Sequence, residues 1–490
     1  MPREPDSPQT PAWVRDAIFY QIFPDRFARS LTVPKPSGLD EWGAPPTAHS
    51  YQGGDLIGVV ERLDYLLDLG VTALYFTPIF QSASNHRYHT HDYEKVDPML
   101  GGTPALRRLL DEAHAKGMRI VLDGVFNHAS RGFFQFHDIL ENGPNSAYLD
   151  WFTVHSFPLY AYDSEREHGY QSWWNLPALP KFNIQTPAVR EFLLGIARRW
   201  IDFGIDGWRL DVANEIDDDE FWREFRRRVR EGNPEAYIVG EVWTEAQHWL
   251  QGDMWDAVMN YLFTRACIGF FIGERADRAE LDRTVLASTR PLDAPAFAAE
   301  IDRLLALYHP NVNAAMLNLL SSHDMARFVT LARGDQSALR LATLFQMTYV
   351  GAPSIYYGDE IGLAGGHDPL NRGAFPWRNE QWDLDLLHDI QKMIMLRKQS
   401  AALRRGSYRS LLARGDVHVH ERRLGTEVVV VALNAGRAAR RVSIPTDLPA
   451  GQVLEAAWSH DRFVVAEGWI RDVALAPRSG VVLRTPPAPR

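Results

Sequence analysis

Four short stretches carry carboxylates, histidines and an arginine at the ends of strand-like apolar runs. They are Asp123-Gly-Val-Phe-Asn127-His128, Gly207-Trp-Arg-Leu-Asp211-Val-Ala-Asn-Glu215, Gly240-Glu241-Val-Trp243 and Leu319-Leu-Ser-Ser-His323-Asp324. In the second, Arg209 and Asp211 fall on one face of the run that starts at Ile205. Burying a carboxylate is costly unless it is paired. A charge-assisted hydrogen bond from Arg209 would hold Asp211 ionised, the form a nucleophile needs. A single strand-end aspartate commonly caps the next helix. Recurrence of the pattern at several strand ends is what points to chemistry.

A carboxylate nucleophile facing a protonated carboxyl acid is the requirement of a retaining glycosidase. Asp211 would attack the anomeric carbon. Glu241 would protonate the leaving oxygen and then deprotonate water, with partial burial and neighbouring carboxylates raising its pKa. Asp324 and His323 would bind sugar hydroxyls and favour the distorted, oxocarbenium-like ring. The rival chemistry for such clusters is a metal site, but no His-x-x-x-His or paired-aspartate spacing supports one.

The elements that must position these residues follow from periodicity. Strand-like runs cover Ile18–Phe23, Val71–Phe76, Arg119–Gly124, Ile205–Leu210, Tyr237–Gly240, Ala257–Leu262, Met316–Leu320 and Ser354–Tyr357. Helix-period segments such as Gly58–Asp68, Thr103–Lys116, Thr186–Phe203 and Gln336–Tyr349 lie between them. Eight strands alternating with helices predict an α/β fold, a (β/α)8 TIM barrel whose strand ends share one mouth. The barrel is expected over 16–128 and 186–400, after an extended or disordered N-terminus at 1–15. Residues 129–185, aromatic and Pro-rich without clear period, read as a small inserted domain at the mouth. Beyond Lys398, Val417–Arg422, Val428–Leu433 and Arg441–Ile444 predict a C-terminal antiparallel β-sandwich over 401–490.

The four stretches, in this order, resemble the signature regions of the α-amylase family of glycoside hydrolases. Tyr20-Gln-Ile-Phe-Pro-Asp-Arg-Phe27, Gly53-Gly-Asp-Leu56 and Gly351-Ala-Pro-Ser-Ile-Tyr-Tyr-Gly-Asp-Glu360 support the resemblance, which spans about residues 16 to 490. It implies Asp211 as nucleophile, Glu241 as acid/base and Asp324 as transition-state stabiliser. It implies His128, Arg209 and His323 as ligands of the sugar at the cleaved linkage. Asn85-His86-Arg-Tyr88 is similar to the segment whose Tyr stacks on that sugar and whose His bonds to it. Asp368 and Arg372 resemble a further pair nearby.

Val212-Ala-Asn-Glu215 and Leu179-Pro-Lys-Phe-Asn183 resemble the neopullulanase, cyclomaltodextrinase and maltogenic amylase group. In calcium-dependent relatives an aspartate stands where Lys181 does and shares a calcium with the residue matching Asn127. An ammonium would repel the ion and replace it electrostatically. The expectation is therefore no required cofactor and no metal at that place, with calcium possible elsewhere. His89 departs from the family, which commonly has Asp there, whereas Asp92-Tyr93 keeps its pattern. About fifteen residues precede the first strand, so the group's N-terminal domain and the dimer it builds are not expected. That leaves a monomer, or an oligomer built otherwise.

Composition narrows the partners. The 490 residues carry a net charge of −10 and lack a basic stripe, which argues against nucleic acid and anionic membranes. The run Arg223–Arg230, interleaved with Glu224, reads as a solvated helix face. One cysteine, Cys267, excludes an internal disulfide. The polar N-terminus is no signal peptide, no apolar stretch reaches the ~20 residues a membrane span needs, and a cytoplasmic setting is expected. Fifteen Trp and seventeen Tyr suit stacking on sugar rings as well as core packing. The expected substrate is an α-glucan oligosaccharide: maltooligosaccharides, cyclodextrins, pullulan or starch, cut at α-1,4 bonds, with α-1,6 bonds left open. Glu215 and Trp243 could serve an acceptor site, which leaves open a 4-α-glucanotransferase on the same machinery. A non-catalytic sugar-binding relative typically loses the catalytic carboxylates, and all three are present.

Overall fold

The computed structural model of the chain describes residues 7–459 and 461–486, and these fall into two compact units. The first comprises the N-terminal residues to Pro11, Phe19–Met259 and Arg372–Phe375; the second comprises Ala12–Ile18, Asn260–Asn371 and the remainder from Pro376. Of the N-terminal stretch expected to be extended, residues 1–6 lie outside the described residues. Ala12–Asp16 departs from that expectation by forming a 3-10 helix with Val14 buried.

The first unit contains six parallel strands. These are β1 (Phe19–Ile22), β2 (Ala73–Phe76), β3 (Arg119–Gly124), β4 (Gly207–Leu210), β5 (Tyr237–Gly240) and β6 (Ala257–Val258), each paired with the next. The second unit holds the parallel pair β7 (Leu317–Leu319) and β8 (Ala352–Tyr356). β1, β2, β4, β5, β7 and β8 are buried at every residue, as parallel strands covered on both faces must be. Helices such as Gly102–Ala115, Pro187–Phe203 and Asp219–Gly232 separate them. The helix Pro187–Phe203 stops at Gly204, whose φ of +115° is the left-handed termination that glycine tolerates, and the chain turns from there into β4. Eight strands in β/α alternation make this a (β/α)8 barrel fold.

Two of the expected barrel elements also differ. The sixth strand is not Ala257–Leu262 but two residues long. Asn260 Oδ1 accepts from Phe263 N at 3.1 Å and caps a helix over Tyr261–Cys267, so a side-chain cap outweighs the apolar run. The helix expected over Gly58–Asp68 is two pieces, Leu56–Val60 and Leu63–Leu69, the first begun by Asp55, which accepts from Gly58 N at 2.7 Å.

Between His128 and Pro187 the chain forms the helix Phe134–Asn142, short 3-10 turns and isolated bridges such as Phe152–Phe182 and Val154–Tyr170. A ring cluster of Phe133, Phe136, Phe152, Tyr170 and Phe182 packs this segment. In the second unit, β9 to β16 follow: Ser407–Arg414, Val417–Leu424, Glu427–Asn434, Arg440–Pro445, Val453–Ala456, Arg462–Val464, Trp469–Leu475 and Ser479–Arg484. Six form an antiparallel sheet in the order β9-β10-β11-β16-β13-β14, and β12 pairs with β15. Val419, Val430 and Leu483 from the larger sheet share a core with Ile444, Ile470 and Val473 from the smaller, the packing of a β-sandwich.

The arginine run on helix Asp219–Gly232 is not wholly a solvated face. Arg226 and Arg230 reach Asp256 Oδ1 at 2.8 and 2.7 Å, and Asp256 is buried with its other oxygen accepting from Ile238 N.

Candidate active site

Strand register determines which side chains meet. Asp123 on β3 is the direct partner of Arg209 on β4, so both point to one face. Arg209 is fully buried. Its Nη1 donates to both Asp123 oxygens at 2.9 Å and to Asp211 Oδ1 at 3.0 Å, and its Nη2 lies 2.8 Å from Glu241 Oε2. One guanidinium thus gathers three carboxylates from the ends of three adjacent strands. Burial opposes its charge, but Asp123 and Glu241 more than offset that and push its pKa above the usual arginine value. For Asp123, burial raises the pKa, and Arg209 and the Tyr88 hydroxyl pull it down.

Glu241 is held from three sides. Besides Arg209, the backbone N–H of Val212 donates to Oε2 at 3.0 Å and the Trp243 indole donates to Oε1 at 3.0 Å. Val212 follows Asp211 and has φ +37°, an outlier for a β-branched residue. Such strain persists only where the surroundings over-determine it. Asp211 itself is 8% exposed, so the reacting carboxylate is shielded yet reachable.

The expected sugar-binding segment lies beside this cluster. Tyr88 donates its hydroxyl to Asp123 Oδ2 at 2.8 Å, and Tyr75 donates to the same oxygen at 3.0 Å. The His86 ring sits 5.7 Å from that of Tyr88 and 4.9 Å from that of His89. Burial, reinforced by His89 and Arg372, holds His86 well below the usual histidine value. Burial likewise lowers His89 to about 4 and His128 to about 3. These rings are neutral at ordinary pH, able to donate and accept with sugar hydroxyls. His128 stacks on Trp173, and its Nε2 is buried without a partner among the described residues. Arg372 lies with its guanidinium over the Phe23 ring, and its carbonyl accepts from Arg26.

His323, Asp324 and Asp368 belong to the second unit. There His323 Nε2 lies 3.1 Å from Asp324 Oδ2, and Asp324 N donates to Ser322 Oγ. Asn371 clamps this turn, its amide donating to the carbonyls of His323 at 2.7 Å and Met325 at 2.9 Å. Asp368 follows His367, whose N–H donates to Glu280 Oε2 at 2.7 Å. Asp368 and Arg372, read together in the sequence, thus fall in different units.

Asp123 and Asn371 were not singled out from the sequence. Asp123 opens the first motif, so the signal was present; Asn371, beside Arg372, had none. Lys181 Nζ donates to the Glu215 carbonyl at 2.7 Å and lies 3.5 Å from its carboxylate. Asn127 Oδ1 is buried without a partner among the described residues. An amide oxygen and an ammonium do not make a calcium donor set, and among the described residues no three His, Cys, Asp or Glu side chains converge as metal ligands. Nor is any described helix long and apolar enough to cross a membrane.

Residues 21–383 match the family model described as alpha amylase, catalytic domain. A cyclomaltodextrinase from a Bacillus species is 45% identical over 449 residues, covering 91% of this chain and 77% of the relative. Neopullulanase 2 of Thermoactinomyces vulgaris is 45% identical over 430 residues, covering 87% and 70%. Among solved structures, Ttha1563 from Thermus thermophilus superposes with a TM-score of 0.93 at 47% identity, covering 97% of this chain and all of that one. Motifs, fold and relatives agree: the chain belongs to the alpha-amylase family and is a glycoside hydrolase.

Proposed function

We propose that this hydrolase cleaves α-1,4 glucosidic bonds of maltooligosaccharides and cyclomaltodextrins, and bonds of pullulan or starch, with retention of anomeric configuration. The observation that carries the reading is the Arg209 bridge to Asp211 and Glu241, tightened by the Val212 N–H to Glu241. Asp211 attacks the anomeric carbon as Glu241 passes a proton to the departing glycosidic oxygen; Glu241 then takes a proton from water, which attacks that carbon and frees Asp211. Arg209 compensates the charge of Asp211 and orients both groups. His86, Tyr88, His128 and Arg372 bind the sugar at the cleaved linkage, and by the family motif Asp324, His323 and Asp368 act on the same sugar. Two relatives carry names referring to cyclomaltodextrin and pullulan, which supports this substrate class.

Side-by-side product profiles on γ-cyclodextrin, pullulan and soluble starch test it. Panose from pullulan, with γ-cyclodextrin cut faster than starch, is the expected result; rapid starch cleavage with inert cyclodextrin contradicts it. Transfer to a sugar acceptor is the second reading, favoured by the Trp243 ring held against Glu241, where Glu215 would assist. Oligomers longer than the substrate, dominating at high maltotriose, would establish transfer in place of hydrolysis. We further propose that Lys181 stands in for calcium, so that no cofactor is required, and that the enzyme acts in the cytoplasm, where a lone buried thiol such as Cys267 stays reduced.

A further inference from the structure

The rings of His128, Trp173 and Trp174 form one stack. His128 and Trp173 have centroids 5.3 Å apart at 17°, and Trp173 and Trp174 are 4.6 Å apart at 11°. The stack begins at a buried site histidine and ends at Trp174, which is 74% exposed. One face of Trp174 lies on Trp173, so its exposed surface presents a flat aromatic face to solvent.

This display is costly. Trp174 has φ +49° and Asn175 φ +57°, two consecutive non-glycine residues in the left-handed region. The surrounding loop is pinned so that they cannot relax. Trp173 N donates to the Leu179 carbonyl, Leu176 N donates to the Trp173 carbonyl, and Tyr170 donates its hydroxyl to the Pro177 carbonyl at 2.6 Å. A bridge between Ser172 and Pro180 closes the base. Exposed aromatics scattered singly need no explanation. A strained, anchored ring stacked in register with a sugar-site histidine is a different matter.

We infer that Trp174 is a stacking platform for a glucosyl unit remote from the cleaved linkage, which makes α-glucan length a determinant of binding. The inference rests on the α-glucan reading above. Trp173 transmits the alignment: its ring sets the plane of Trp174 parallel to that of His128. The C–H face of a glucosyl ring packs on such an indole while the hydroxyls stay in water.

The test uses the full chain carrying Asp211→Asn, with maltose and maltoheptaose as probes in calorimetric titrations. Adding Trp174→Ala is expected to weaken maltoheptaose about tenfold, the loss of one aromatic face, and to weaken maltose much less. Trp174→Phe, which keeps a flat ring, is expected to retain most of the maltoheptaose affinity. Unchanged maltoheptaose affinity in Trp174→Ala overturns the inference, as does an equal loss for both sugars. If the Asp211→Asn parent binds neither sugar and the unaltered enzyme leaves γ-cyclodextrin intact, the α-glucan reading itself fails.

Discussion

The Val212 N–H donates to Glu241 Oε2 over 3.0 Å from a left-handed backbone with φ +37°. Strain of roughly 1–3 kcal/mol is thereby stored between the two carboxylates proposed to react. Val212→Gly, free to adopt this φ, is expected to leave Tm within a few degrees of the parent while lowering kcat, because the N–H is no longer locked on Glu241. A Tm loss above about 5 °C would show that the Val212 side chain matters more than its backbone.

Arg209 is fully buried with Asp123 bonded to it through both oxygens. Removing Asp123 leaves Arg209 paired with Asp211 and Glu241, so the cost is that of lost hydrogen bonds to a charged group, about 1.5–3 kcal/mol, and not that of an uncompensated buried charge. Asp123→Ala is expected to lose stability on that scale in urea unfolding, although Asp123 has no part in bond cleavage. A loss below about 1 kcal/mol contradicts the assignment. Arg209→Lys cannot span three carboxylates from one planar fork, and its kcat/KM is expected to fall at least a hundredfold, about 2.7 kcal/mol in transition-state stabilisation.

Lys181 donates to the Glu215 carbonyl, the role proposed here in place of a cation. Thermal unfolding with and without excess EDTA is expected to give the same Tm. Lys181→Met is expected to lower it, and calcium is not expected to restore it. A chelator-induced drop of several degrees would contradict the proposal.

In the C-terminal strands, His418 and His420 lie on β10 among Phe345, Tyr408 and Arg422. Burial lowers His418 to about 3, and holds His420 well below its usual value with His418 and Arg422 adding to the effect. The folded-state values lie below the ~6.5 of an unfolded histidine, so below pH 6.5 the unfolded chain takes up protons first. Stability from these groups is therefore full above pH 6.5 and falls as pH drops below it, for His418 by about 1.4 kcal/mol per pH unit down to about 3. Both His420 ring nitrogens lack a partner among the described residues. His420→Phe is therefore expected to flatten the acid limb of the stability–pH curve. An unchanged slope would rule out His420 as a contributor.

The barrel and its site were legible where residue type alone determines position. The β3 and β5 boundaries, Arg119–Gly124 and Tyr237–Gly240, agree with the sequence reading because β-branched runs end abruptly at glycine. β6 failed because Ala257–Leu262 is apolar except at Asn260, and the Asn260 side chain, by capping, turns its second half into a helix. The Arg209–Asp211 contact was readable from i,i+2 spacing on one strand face, whereas Arg209–Asp123 depends on the β3–β4 register, which is set by tertiary pairing. The same limit hid Asn371, whose amide reaches residues 46 and 48 positions earlier in the chain.

The central claim, nucleophilic attack by Asp211, is tested most directly by trapping the covalent intermediate. A 5-fluoro-α-glycosyl fluoride should add one sugar mass to the intact protein, and peptide mapping should place it on the fragment bearing Asp211. Label on another carboxylate, or no label together with release of the inverted β-anomer from maltooligosaccharides, contradicts the account.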